Sequence, residues 1–242
     1  MNKKRFLELL EIVRRYLGDE SSHGVPHILR VHSNFSLFKS ENPPVSERVL
    51  TALELACLFH DLGRSQTTIE KWQNHSNISK DILKELFKKE LSDFQDYEES
   101  VLYAVDFHED WINYSPREEK DICLGLLVVF DIMDAIGEFA LFRIGIDWGN
   151  KLPWLPKGKN WPREKIQDYL DNPEKIVKES RVKMVKNSIL VHLLYNYCAM
   201  EKIIVPPVKK YLGPAILKEI KRRQGILRTF IIQLSNFIHY PS

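Results

Sequence analysis

A histidine and an aspartate stand side by side where the chain is otherwise written for a hydrophobic interior. His60 and Asp61 follow Leu55-Ala56-Cys57-Leu58-Phe59 and precede Leu62. A core segment cannot hold both groups unpartnered, because burying a bare charge is costly; such groups are paired or bound to a metal. The same demand arises in two further places. His27 sits in His27-Ile28-Leu29-Arg30-Val31, and Asp131 interrupts the apolar run Leu126 to Met133. Alone, a histidine on an apolar face is usually a satisfied core residue, and an aspartate can cap a helix or pair with an arginine. Together, two imidazoles and two carboxylates are satisfied at once by one divalent cation. The mixed nitrogen and oxygen donors suit Mn, Ni, Co, Fe or Zn, with Mg admissible, rather than a soft-metal thiolate site.

Apolar spacing points to an all-α fold. Phe6, Leu9, Leu10, Val13 and Leu17 recur at three- and four-residue steps before Gly18 stops the segment. Pro26 opens a second helix whose buried side continues through Ile28, Val31, Phe35 and Phe38. Ser46 starts the helix that carries His60-Asp61. Further helices are predicted over 76–89, 96–107 and 118–142, and two long ones near 174–204 and 214–237, with Tyr195-Asn196-Tyr197 and Pro206-Pro207 as local irregularities. No alternating apolar and polar run is long enough for a sheet. The stretch 145–173 is rich in Gly and Pro and holds Trp148, Trp154 and Trp161; it reads as a structured loop, either a cover for a site or a packed excursion. One domain over 1–242 is expected, with a core of about 20–145, that loop, and C-terminal helices over about 174–240.

Bulk properties narrow the partners. The net charge of +2 gives no global case for nucleic acid or an anionic membrane. Lys218, Lys221, Arg222, Arg223 and Arg228 alternate with apolar residues at helical spacing, which reads as a solvated helix face. Cys57, Cys123 and Cys198 form no CxxC pair, so a disulfide frame is not expected and a reducing cytoplasm fits. The N-terminus lacks the apolar stretch of a secretory signal. The apolar segment 189–204 is interrupted by His192, Asn196, Glu201 and Lys202, well short of the roughly 18 clean residues of a membrane span.

The order His27, His60-Asp61, Asp131 resembles the H…HD…D signature of the HD-domain metal-dependent phosphohydrolases. His27-xx-Arg30-Val31 resembles that family's first-helix motif. Asp131-Ile132-Met133-Asp134-Ala135-Ile136-Gly137 with Arg143 is similar to a helix of small bacterial and archaeal HD hydrolases, some of which resemble nucleotide pyrophosphatases. The resemblance covers roughly residues 20–145. It implies an all-helical HD bundle in which His27, His60, Asp61 and Asp131 bind a divalent metal. Asp61 then serves a second purpose, orienting the attacking water.

Other polar residues are placed around that centre. Asp134, three residues after Asp131 and so on the same helix face, is a partner for His27 or a reserve ligand. His75 and His108 have three open roles: contact to phosphate or general acid, ligands of a second metal, or structure. His23 is expected at the rim, and His32, His192 and His239 as packing or surface residues. Arg64 is the first candidate for binding phosphate, followed by Arg30 and Arg143, whose alternative is a structural ion pair. The expected activity is hydrolysis of a phosphate ester or anhydride of a small molecule, a nucleotide first. The alternatives are a di-iron oxygenase on the same scaffold or a metal-stabilised binding module without turnover. Oligomeric state is not legible.

Overall fold

A computed structural model describes residues 1–18, 23–66, 75–109, 118–138, 140–141, 163–172, 175 and 189–238. Every regular element among them is helical. The chain divides into two compact units, Met1–Asp131 with Pro207–Ile216, and Ile132–Pro206 with Leu217–Ser242.

The first unit contains α1 (Lys3–Leu17), α2 (Val25–Ser40), α3 (Glu47–Phe59), α4 (His75–Lys89), α5 (Glu98–Phe107) and most of α6 (Glu119–Asp134). Local chemistry sets several of these ends. The Asn2 side chain accepts the Arg5 N–H at the start of α1, and Gly18 closes that helix at φ 62°. Pro26 lies in the first turn of α2, and the Ser46 hydroxyl accepts the Val49 N–H to start α3. Every residue from Ala52 to Phe59 is buried, Glu54 being the one charged side chain among them, so α3 runs through the interior. It packs against α2 on one side and α5 on another, and α4 packs on α5 and on the short 3-10 helix Leu62–Gln66. Phe35, Phe38, Phe59, Phe87 and Phe130 fill the core. His32 pairs with Glu54 at 3.3 Å and stacks near Phe6, a packing role.

Two long-range polar contacts tie distant chain segments into this unit. Asn34 Nδ2 donates to the Phe130 carbonyl at 2.9 Å. The Glu41 carboxylate accepts the Ala215 and Ile216 N–H groups at 2.7 and 3.2 Å, capping the start of the last helix.

In the second unit, Arg163–Asp171 (α7) packs on Ile189–Ala199 (α8), and Pro214–Ile238 (α9) supplies Ile220, Leu227 and Ile231 to the interior. Three expectations change here. The proposed loop over 145–173 contains a regular helix, α7, because Ile166, Tyr169 and Leu170 form a buried stripe at helical spacing. Trp148, Trp154, Trp161 and the rest of that stretch lie outside the described residues, as do Arg143 and His239. Tyr195 to Tyr197 continue α8 without a break; the irregularity comes later, as a π-helical turn over Met200–Ile204. Arg223 is not on a solvated face: it donates to the Met133 carbonyl at 2.7 Å and pairs with Glu219.

No helix among the described residues is long and apolar enough to cross a membrane. Cys57, Cys123 and Cys198 are free and buried. Burial raises the Cys57 thiol well above its ordinary range and pushes Cys123 up to about 12, so neither supplies a thiolate near neutrality. The native protein is therefore expected to be inert to a thiol reagent such as DTNB at pH 8 and to react at all three cysteines only once unfolded. A rapid reaction of the folded protein would contradict the packing of α3 and α6.

Candidate metal centre

The centre is built where helices of the first unit end or begin. α3 stops at Phe59, which leaves carbonyls of its last turn without helical partners. His60 occupies the next position and uses one of them: its Nδ1–H donates to the Cys57 carbonyl at 3.2 Å. His108 stands in the same place after α5 and donates Nδ1–H to the Val105 carbonyl at 2.7 Å. A carbonyl only accepts, so the contact places the proton on Nδ1 and turns the Nε2 lone pair inward. Two helix ends thus fix two imidazoles in one tautomer.

Asp61 follows His60 and is 2% exposed. Its two oxygens face different neighbours. Oδ2 lies 3.6 Å from His27 Nε2, 3.9 Å from His60 Nε2 and 3.3 Å from His23 Nδ1. Oδ1 lies 3.0 Å from His75 Nε2, 3.7 Å from His108 Nε2 and 3.2 Å from Arg64 Nε. The imidazoles are paired accordingly: Nε2 of His27 and His60 are 3.2 Å apart, and Nε2 of His75 and His108 are 3.1 Å apart. Asp131 closes the first set, with Oδ1 at 3.4 Å from His27 Nε2 and 3.8 Å from His60 Nε2. At 24% exposure Asp131 is more open than Asp61 and the two imidazoles it faces.

Charge in the cluster is strongly coupled. Burial alone would raise Asp61, but the Arg64 guanidinium and the surrounding imidazoles outweigh it and hold the carboxyl well below the usual carboxylate range. Burial acts the same way on Asp131, and its hydrogen bond to His27 with the His60 and His27 charges reverses the effect. Burial lowers His60 to about 4, leaving a neutral imidazole at neutral pH. His108 moves the other way: burial disfavours its cation, but the hydrogen bond to Asp61 and the charges of Asp61, Glu109 and Asp131 raise it. Ionised carboxylates beside the neutral His60 imidazole are the donor chemistry of a divalent cation site.

Three overlapping groups bring ligand atoms within 4.8 Å of one another: His27, His60 and Asp131; Asp61, His75 and His108; and His23, His27 and Asp61. Each could hold a metal ion. Among the sequence-chosen residues, His27, His60, Asp61, Asp131, His75 and His108 therefore meet in one place. Asp134 is buried on α6 but belongs to none of these groups. Arg64 is held against Asp61, and Arg30 lies on α2, half-buried. Two residues escaped the sequence reading. His23, expected only at the rim, contacts Asp61; its spacing of four residues before His27 was the available signal. Glu109, whose Oε2 is 3.1 Å from His75 Nδ1, carried none beyond its position after His108.

The turn after the doublet is pressed onto α4. Gly63 N–H donates to the Ser79 hydroxyl at 2.8 Å. A Cβ at Gly63 would overlap the His75 carbonyl oxygen and lie 2.8 Å from both Ile78 Cβ and Ser79 N. That close backbone approach is what sets His75 beside Asp61.

A family model described as HD domain matches residues 25–136. No curated protein is significantly similar to the chain. A crystal structure of a protein from Lactobacillus plantarum is similar over 98% of each chain, with a TM-score of 0.58 and 15% identity, a likeness of fold alone.

Gly63→Ala is expected to force the turn and α4 apart, at a cost of about 1–3 kcal/mol for an overpacked contact. Urea unfolding reads that loss, and metal titration should show weakened binding at the His75 side first. A variant of unchanged stability would mean that the turn and α4 can separate freely.

Proposed function

Since residues 25–136 match the HD-domain model, we propose that this chain is a metal-dependent phosphohydrolase with two cation positions sharing Asp61. The observation that carries the reading is the division of the Asp61 carboxylate, one oxygen toward each histidine pair. In this reading His27, His60, Asp61 and Asp131 would hold one divalent metal, and Asp61, His75 and His108 would hold the second. The chemistry of the donors suits Mn, Fe, Ni, Co or Zn, with Mg the weaker candidate for so many imidazoles. Bound divalent ions supply Lewis acidity toward a phosphoryl oxygen and a water of lowered pKa.

The residues of the chain do the rest. Asp61, kept ionised by Arg64 and the imidazoles, orients the attacking water and accepts its hydrogen bond. Arg64 balances the carboxylate charge beside His75, where it also stands within reach of developing negative charge. Asp131 and His23, partly exposed, mark the side from which substrate approaches. The α3 core beneath excludes water from the far side of the pair. The substrate class is a small phosphate ester or anhydride, with a nucleotide as the first candidate.

Purification without chelator, metal analysis and a nucleotide panel with added Mn, Ni, Co and Mg test the reading. Phosphate or pyrophosphate release is expected, falling to background in Asp61→Asn and His60→Ala while circular dichroism stays helical. His75→Ala and His108→Ala are each expected to lose one bound metal and keep the other. The shared carboxylate also suits an oxygen-activating iron pair. Iron in both positions with no hydrolysis of any phosphate compound would overturn the hydrolase reading in favour of that chemistry.

A further inference from the structure

The imidazoles of the centre are not all held by the same means. His60 and His108 each follow the last residue of a helix and give their Nδ1–H to a carbonyl of its final turn. His75 occupies the opposite kind of position. It is the first residue of α4, where a helix presents unpaired N–H donors rather than carbonyl acceptors. An imidazole there needs an acceptor from another part of the chain if it is to carry its proton on Nδ1 and turn Nε2 inward.

The Glu109 carboxylate stands at that nitrogen, within ion-pair distance. Its Oε2 lies 3.1 Å from His75 Nδ1. Its Oε1 faces Arg64 NH2 at 3.9 Å, and Arg64 Nε donates to Asp61 Oδ1 at 3.2 Å. Asp61 Oδ1 in turn faces His75 Nε2 at 3.0 Å. Glu109, His75, Asp61 and Arg64 therefore close a ring in which carboxylates alternate with nitrogen groups. Glu109 immediately follows His108, so one turn of chain after α5 delivers both an imidazole and the carboxylate that aims its partner.

We infer that Glu109 is a positioning residue for the His75, His108 and Asp61 set: it fixes the Nδ1–H tautomer of His75 and thereby sets metal affinity there, without itself touching metal or substrate. A carboxylate on the far nitrogen orients a ligand imidazole and raises its basicity, and loss of such a partner typically weakens metal binding about 10–100-fold. The set containing His27, His60 and Asp131 does not include Glu109, so its affinity is left in place. The inference rests on the two-position reading given under Proposed function, and its test separates the two.

The test uses the full chain with Glu109→Ala and Glu109→Gln, read by Mn titration and by long-range 15N–1H spectra of the metal-free protein, with His75→Gln to assign the His75 signals. Wild type is expected to bind two equivalents of Mn and to show His75 protonated on Nδ1. Glu109→Ala should weaken only one equivalent, by about 10–100-fold, and lose the His75 tautomer preference. Glu109→Gln keeps an oxygen acceptor and should restore the tautomer and most of the affinity. Equal losses in the two variants would make the effect one of charge alone and overturn the tautomer assignment, as would unchanged binding in Glu109→Ala. A wild type that binds one equivalent would overturn the two-position reading, while the metal-free spectra would still judge whether Glu109 fixes His75.

Discussion

The buried carboxylate of Asp61 is the constraint around which this part of the molecule is arranged. At 2% exposure it has given up its water, and the loss has to be matched by neighbours that favour the ionised form. Arg64 and the imidazoles do so from two sides, one for each oxygen. The helix that delivers Asp61 is itself buried on all sides, so the carboxylate enters the core from the end of α3 rather than from its flank. Ending the helix one residue before the doublet frees a backbone carbonyl for His60 and lets two adjacent side chains turn the same way. A longer α3 would have separated them by about 100° around its axis.

Helix ends recur as the positioning device. His60 and His108 are set by last-turn carbonyls, and His75 opens α4 where the Gly63 backbone lies against it. Backbone groups are fixed by the fold, so ligand nitrogens tied to them need little further ordering. Asp131, His23 and Glu109 are the partly exposed members of the cluster. Imidazoles tied to the backbone lie inside and the more accessible polar groups outside, an arrangement that could hold a metal ion.

Much of this was legible in the chain. A histidine and an aspartate inside an apolar run announce a buried polar site, and Asp131 repeats the signal in α6 because a carboxylate in an apolar helix needs a partner. Helical spacing located α1 to α5 and α9 to within a few residues, whereas α6 ends at Asp134, eight residues short of the expected 142. Where the reading failed, composition had outweighed periodicity. The Gly and Pro content of 145–173 suggests loop throughout, although Ile166, Tyr169 and Leu170 carry a buried helical stripe. The charge of Arg223 suggests a surface cation, but folding brings it to the Met133 carbonyl, 90 residues away in sequence.

The sequence by itself determined the helical class, the burial of the His60-Asp61 pair and the donor types at the centre, because these follow from residue chemistry and from spacing within single helices. Tertiary structure alone decided which oxygen of Asp61 faces which imidazole pair, that His23 reaches the carboxylate, and that Glu109 stands behind His75. It also decided that Glu41 caps a helix 174 residues further along the chain. Those relations join segments far apart in sequence, where neither propensity nor periodicity acts; they are fixed only when helix ends, backbone approaches such as Gly63 on α4, and the filling of the core settle the distances between them.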